Sequence, residues 1–415
     1  MPLTADTPFV VFGDDWGRYP STIQHVFRHI APRCPVVWVN GIGHRVPRLN
    51  SKDLRRAWEK LSRLARPGGQ PQPPALQLGG GVPAAVIEPR VLPWHHWGAV
   101  HAVNTWSLTR AITARLAALG LRRPPVLVTG SPPSVGVLGR LGEIASVYFV
   151  LDDFLNFPTY TASMLAPLER RLLEQVDLVV ATAASLTESK YPRSGRAFHL
   201  PQGVNYTHFA EPRAAPADLA GIPHPYIGFA GTVSTNCDLD LLVRLADAFP
   251  DAALVLVGPV SLGDESLQRL RRPNVHLLGV RPYAVLPAYV QQFDVGIIPY
   301  ALNPWTIAVD PLKLLEYLAA GLPVVSTAIP EAAKYSGTVS VAADTDAFLG
   351  AVRAALQGDH EASRVRGQAL ARENTWEDRA ETFLELVRGV IDARELAGAG
   401  GPIPGTVGAA GERVG

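Results

Sequence analysis

Lys313 and Glu316 stand three residues apart in the run Val309-Asp310-Pro311-Leu312-Lys313-Leu314-Leu315-Glu316-Tyr317, which continues to Gly321-Leu322-Pro323-Val324-Val325-Ser326-Thr327. The pattern predicts a loop, a short helix, a tight turn and a buried strand. Asp310 suits the helix N-cap and Pro311 the first helical position, while Gly321 followed by Pro323 suits the stop. Residues three apart share a helix face, so ammonium and carboxylate sit together near the N-terminal end. That end carries partial positive charge and free N–H groups, which suit a phosphate. A cation for a phosphate beside a carboxylate for sugar hydroxyls points to a nucleotide-sugar site. Only five of the 38 basic residues are lysines, so Lys313 departs from the chain's habit and suggests that a compact ammonium is wanted. The alternative for Glu316 is a solvated helix residue.

Other loops of the second half follow predicted strands. Phe229-Ala230-Gly231-Thr232-Val233-Ser234 runs into a small-residue loop. Gly231 permits close backbone approach there, and amides with the hydroxyls of Thr232 and Ser234 suit a diphosphate. Ser234 or Asn236 is a candidate cap for a helix starting near Asp238. Val257-Gly258-Pro259 and Leu278-Gly279-Val280-Arg281 end the next two strands, and Arg281 has the reach to stack on a base or meet a phosphate. The stretch Pro299 to Ala308, with Thr306, leads into the Lys313 helix and suits contact with a sugar. Ordinary βα turns are the alternative for these loops. Asp238-Leu239-Asp240 reads as the acidic start of a helix, not as a metal pair.

In the first half, Asp15, Trp16 and Arg18 lie between the first strand and the first helix, where a loop lines a ligand cleft. Arg18 suits a phosphate, and Asp15 or Trp16 a sugar. Trp94-His95-His96-Trp97, with His101 and Trp106, is the densest aromatic cluster and a candidate acceptor surface; core packing is its alternative. Adjacent histidines without a third ligand do not make a zinc site. Asp152 and Asp153 end a buried strand, where one of them can orient an acceptor hydroxyl or accept its proton; a strand-end cap or salt bridge is the other reading.

These residues need a frame, and the hydropathy supplies one. Short apolar runs alternate with amphipathic segments along all 415 residues, which predicts βα units and parallel sheets. Strands are predicted at 9–13, 36–40, 85–91, 126–130, 147–151 and 178–182, then at 226–230, 254–257, 275–278, 295–299, 323–326 and 339–342. Ser21-Thr22-Ile23-Gln24 has the capping-box pattern. Proline- and alanine-rich sequence from Pro201 to Pro225 marks a linker, giving domains at 1–205 and 206–374, with a helix over 375–394 packing back on the first. Arg66 to Pro83 reads as a mobile insertion and 397–415 as a disordered tail. The net charge of +1 gives no basis for nucleic-acid binding. Two distant cysteines, Cys34 and Cys237, fit a reducing compartment. No signal peptide and no membrane span is expected. The arginine-rich stretches 45–66 and 110–123 read as solvated helix faces or as a peripheral contact with anionic lipid. A cytoplasmic location, with contact at the inner membrane face as an option, follows.

The segment 309–327 resembles the donor-site motif of GT-B glycosyltransferases of the family 4, group 1 type, and the resemblance extends over about Phe9 to Val390. It implies two Rossmann-like, doubly wound parallel-sheet domains facing across a cleft. It also implies metal-independent transfer of a sugar from a nucleotide donor, with retention, to a glycan, lipid-linked or small-molecule hydroxyl. By the resemblance, Glu316 binds ribose hydroxyls, Lys313 and loop amides hold the diphosphate, and the loops of Gly258 and Val280 frame the base. Pro311 and Leu312 lie at the donor-site helix N-terminus. Two departures stand out: Ala308 replaces the family's first glutamate, and Thr232, Ser234 and Asn236 stand where many members supply an arginine and a lysine. The first half is similar to enzymes of teichuronic acid or other surface-polysaccharide synthesis. A nucleotide-sugar epimerase and a non-catalytic nucleotide-sugar-binding protein are the alternatives.

Overall fold

The computed structural model describes residues 2–44, 80–358 and 360–398. Parts of three sequence expectations lie outside these residues: the arginine-rich stretch 45–66, most of the insertion 66–83, and the tail beyond 398. Contacts divide the chain into two units. One comprises Met1–Ala181, Leu186–His199 and Ala380–Gly415, the other Thr182–Ser185 and Leu200–Arg379.

The first unit holds a seven-stranded sheet of β1 (Phe9–Phe12), β2 (Val36–Val39), β3 (Ala85–Ile87), β4 (Val126–Thr129), β5 (Ala145–Val150), β6 (Leu178–Ala181) and β7 (Ala197–His199). Their order is β3-β2-β1-β4-β5-β6-β7, with every pairing parallel. The second unit holds β8 (Tyr226–Ala230), β9 (Ala253–Val257), β10 (Val275–Gly279), β11 (Val295–Ile298), β12 (Val324–Thr327) and β13 (Ser340–Ala342), ordered β10-β9-β8-β11-β12-β13 and again parallel. The doubly wound α/β reading therefore stands. Each predicted strand is present; β7 is additional, a half-buried edge strand of three residues with little apolar signal.

The central strands are buried along their whole length, as in FVVF, VVWV and VLVT. A parallel sheet covered on both faces requires such unbroken apolar runs. In both sheets the chain builds outward from one central strand, then returns beside it and builds the other way. The switch points fall between β1 and β4 and between β8 and β11. Open α/β sheets bind ligands there, beyond the carboxyl ends of the strands.

Helix Trp376–Gly398 ends the described chain. In the first unit its Phe383 is fully buried, stacked on Phe149 at 5.6 Å and edge-on to Phe27 at 5.6 Å. We expect Phe383→Ala to cost about 3–5 kcal/mol, the range for emptying a packed aromatic site. Urea unfolding read by tryptophan fluorescence checks this; an unshifted midpoint would show that the helix adds nothing to this core.

Candidate functional site

Four loops meet at the switch point of the second sheet, and backbone hydrogen bonds fix them to one another. Gly231 N donates to Val257 O at 2.8 Å and Gly258 N to Gly279 O at 2.9 Å. The loop after β8 is tied on one side to the β9 loop (Val233 N to Pro259 O, 2.9 Å) and on the other to the β11 loop (Asp238 N to Pro299 O, 2.7 Å). Gly258 has φ +143°, and a Cβ there would lie 2.1 Å from Gly231 O, so only glycine lets these two loops touch.

Helix Leu312–Ala319 is set against this platform by Tyr317. The ring is fully buried, and its hydroxyl takes a 2.7 Å hydrogen bond from Ala230 N at the end of β8. Gly296 makes room for it: a Cβ there would meet the ring at 2.6 Å. The N-cap is Pro311, and no side chain caps the helix. Its first amides therefore lack an intrahelical acceptor.

Lys313 projects from the first turn and is buried. Its ammonium donates to the Tyr300 hydroxyl and lies 4.7 Å from the Tyr300 ring centroid and 5.2 Å from that of Phe229. Among the described residues it forms no ion pair with a carboxylate. It also touches the β8 loop, since a Cβ on Gly231 would meet Lys313 Cε at 2.9 Å. Glu316 is half-buried. Burial pushes its carboxyl up to about 7, against a downward pull from Lys313. Lys313, Gly231 and Gly258 thus come together with the open helix end, and Glu316 lies one turn along.

The other donor-side candidates divide. Thr232 is exposed on the loop, and Ser234 is half-buried with its hydroxyl on Asn236. The helix cap predicted at Ser234 or Asn236 is Asp238, whose side chain accepts from Leu241 N at 2.9 Å. Val280 is 61% exposed, Pro311 buried and Leu312 half-buried. Three expectations need correction. Arg281 does not join Lys313: its guanidinium is held by Asp218 at 2.7 Å and by the Tyr289 hydroxyl at 2.8 Å. Thr306 is fully buried, with its hydroxyl given to Ala301 O, so it braces its own loop. Asp310 is not the cap: its carboxyl accepts from Gln202 N at 2.8 Å and is raised to about 7, chiefly by burial.

In the first unit, Asp15 and Arg18 pair at 3.2 Å on the surface. Trp16 packs edge-on against Trp38 at 4.7 Å, with Arg28 over its ring at 4.6 Å. Gln24 does not complete a capping box; its Oε1 accepts from Gly17 N at 2.9 Å and braces this loop, while Ser21 makes no cap. The aromatic cluster splits. His95 is a core residue, bonded to Ile42 O at 2.9 Å and to Asn104 at 3.2 Å, which removes it as an acceptor contact. Trp94 stacks on Trp97 at 5.7 Å, and His96 is edge-on to Trp97. Asp153 is in a salt bridge with Lys190 at 3.3 Å and accepts from Asn156 at 2.6 Å. Asp152, half-buried beside it, helps raise the Tyr160 phenol's pKa after the larger effect of burial.

Sequence reasoning missed Tyr317 and His44 as site-building residues, and offered Tyr300 only within the loop 299–308 as a sugar contact, not as the partner of Lys313. His44 stacks on Phe154 at 5.1 Å, lies 4.8 Å from the Tyr160 ring, and bonds Ser131 Oγ at 2.9 Å at the first sheet's switch point. Burial, with a smaller effect of His95, lowers it to about 4, so it is neutral near pH 7. No local spacing pattern announces any of the three.

The packing of the loops is directly testable. We expect Gly258→Ala to destabilise the protein by about 1–3 kcal/mol, because the chain must leave a strained φ and a 2.1 Å overlap. Gly350→Ala, in an exposed helical position with nothing within 4 Å, is expected to gain about 0.5–1 kcal/mol. Thermal denaturation of both variants decides; Gly258→Ala as stable as the native chain would refute the close approach.

Comparison with known proteins bears on the family and the fold. The family model described as "Glycosyl transferases group 1" matches residues 224–358. A relative from Bacillus subtilis (strain 168), named as a teichuronic acid biosynthesis glycosyltransferase, TuaH, is 32% identical over 219 residues. That alignment takes in 49% of this chain and 55% of the relative, so the chain spans about half the length of the curated relative it matches. Among solved structures, Anabaena HepE in complex with UDP and glucose superposes with a TM-score of 0.62 at 13% identity, covering 91% of this chain and 98% of that one. Sucrose-phosphate synthase from Thermosynechococcus elongatus gives 0.61 at 17% identity, covering 95% and 100%. Residues 224–358 accordingly match a group 1 glycosyltransferase domain, and the chain that carries them has the GT-B fold.

Proposed function

We propose that this chain transfers a sugar from a nucleotide-sugar donor to a hydroxyl of a surface-glycan, lipid-linked or small-molecule acceptor. One observation carries the reading: the buried Lys313 ammonium has no carboxylate partner among the described residues, and it sits at the switch point against Gly231 beside an uncapped helix end. A diphosphate supplies the missing negative charge. The group 1 match and the TuaH relative support transfer within polysaccharide synthesis. UDP in the HepE complex makes UDP the first nucleotide to try.

In this reading the diphosphate lies on Lys313 and the amides of Leu312 and Lys313, and ionised Glu316 accepts the ribose hydroxyls. As the glycosidic bond breaks, charge grows on the leaving oxygen, and these preorganised donors stabilise it. Asp152 orients the acceptor hydroxyl and takes its proton, while Asp153, already held by Lys190, positions the loop. Transfer proceeds with retention and without a metal cofactor, at the cytoplasmic face of the membrane; unchanged turnover in chelator and an NMR assignment of the product anomer test the first two points. A non-catalytic nucleotide-sugar binder is the second reading. It is favoured by Ala308, buried and apolar where the resembled family places a glutamate. Binding without turnover on any acceptor would select it.

Calorimetry with UDP, GDP, ADP and dTDP tests the site. We expect one of them to bind tightly and to lose at least about tenfold in affinity (~1.4 kcal/mol) in Glu316→Ala. A folded protein that binds none of the four would refute the donor site. The pH dependence is a separate test. The carboxyl is raised to about 7, so its ionised, hydroxyl-accepting form grows as pH rises through that value. Affinity for an intact nucleotide-sugar, whose diphosphate diester does not titrate near neutrality, is expected to increase up to roughly tenfold from about pH 6 to about pH 8. Glu316→Gln should abolish the slope; a slope that survives would remove Glu316 from the ribose contact.

A further inference from the structure

A trough of about 1060 Å³ runs along helix Gly98–Ala118 in the first unit, closed on its other sides by the Pro132–Val137 turn and helix Ala162–Gln175. Its floor is the helix face of small residues that includes Ala102, Thr105, Thr109 and Thr113. Its polar lining has one sign. Arg110, Arg140 and Arg171 border it, and among the described residues no acid does. Arg140 Nε donates to Gly136 O at 2.9 Å and Arg110 lies 5.9 Å from the Trp106 ring centroid, yet among the described residues none of the three guanidiniums forms an ion pair. Grouped cations without a counter-charge attract an anion.

Two further groups lack partners among the described residues. Both ring nitrogens of His101 and the Thr109 hydroxyl are closed to solvent and make no hydrogen bond there. Burial, then the charges of Arg171 and Arg140, lowers the His101 pKa, so the ring is neutral and retains one N–H to donate. Large apolar side chains on and beside the same helix are exposed. Trp106 is 65% exposed, Trp97 55% and Val103 54%. A soluble anion would satisfy the guanidiniums and leave these three in water. Tryptophan beside arginine is the pairing that suits a bilayer interface, with rings at headgroup depth and guanidiniums on phosphate.

We propose that this trough binds the phosphate headgroup of an anionic lipid, with Arg110, Arg140 and Arg171 on the phosphate side and Trp106, Trp97 and Val103 in the membrane interface. The site gives the chain's membrane contact a location and stands independently of the donor site. Sedimentation of the full chain with vesicles of phosphatidylcholine, alone or mixed with phosphatidylglycerol, tests it. The native chain is expected to bind the mixed vesicles. The combined Arg110→Ser, Arg140→Ser, Arg171→Ser variant should bind them at least about tenfold more weakly, and Trp106→Ser should lose the part of the binding that survives high salt. Unchanged nucleotide binding by the triple variant shows that it is folded and separates this site from the donor site. Equal binding to both kinds of vesicle, or full binding by the triple variant, would overturn the proposal. So would calorimetric binding of inorganic phosphate, lost in the triple variant, by a chain that ignores vesicles.

Discussion

A buried ammonium needs negative charge near it, and in the second unit the described side chains leave Lys313 without a full counter-ion. An ion taken out of water loses several kcal/mol of hydration even after relaxation. The Tyr300 hydroxyl and the faces of Tyr300 and Phe229 return only part of this. Much of the surrounding architecture serves to hold that charge in place. Gly231 offers backbone where a side chain would displace the lysine, Gly258 lets the next loop close over Gly231, and Gly296 admits the ring of Tyr317 that anchors the helix to the end of β8. These glycines give up side-chain packing so that a charged side chain can lie against bare backbone.

Lys190 shows what a completed site looks like in the same molecule. It is buried to a similar degree, yet its ammonium meets Glu169 at 2.9 Å and Asp153 at 3.3 Å, and Glu169 takes a further 2.7 Å hydrogen bond from the buried Tyr148 hydroxyl. That network is satisfied internally and stiffens the end of β5. Two lysines of like burial thus differ in what surrounds them. One is closed by carboxylates; the other faces glycine backbone and an open helix end, the arrangement on which the proposed donor site rests.

What could be read from the chain alone follows the range of the interactions involved. Continuous apolar runs identify buried parallel strands locally, so twelve strands and the doubly wound class were legible, whereas three-residue β7 carries too little apolar signal. The placing of Lys313 and Glu316 one turn apart on a short helix depends on helical spacing, and it too was visible. The errors share a different cause. Asp310, Ser21 and Gln24 fit local capping rules, but Asp310 is taken by Gln202, 108 residues away, and Gln24 by the loop at Gly17. Arg281 is likewise claimed by Asp218, 63 residues earlier. Tyr300, Tyr317 and His44 acquire their positions from neighbouring strands and loops. Polar side chains with partners outside their own helix are where local rules fail, because such a hydrogen bond is comparable in strength to a cap and competes for the same side chain.

The two sheets share one topological plan, and their switch points differ in charge. In the second, a lysine and free amides stand on a small-residue floor. In the first, Asp152 and Asp14 both act on the Tyr160 phenol, which lies beside neutral His44, itself hydrogen-bonded to Ser131. Carboxylates and neutral hydrogen-bonding groups accept and orient hydroxyls but repel a diphosphate, whereas Lys313 does the opposite. Under the proposed function these electrostatics sort the two substrates before any shape complementarity operates: the anionic donor is favoured at the second switch point, the hydroxyl-bearing acceptor at the first.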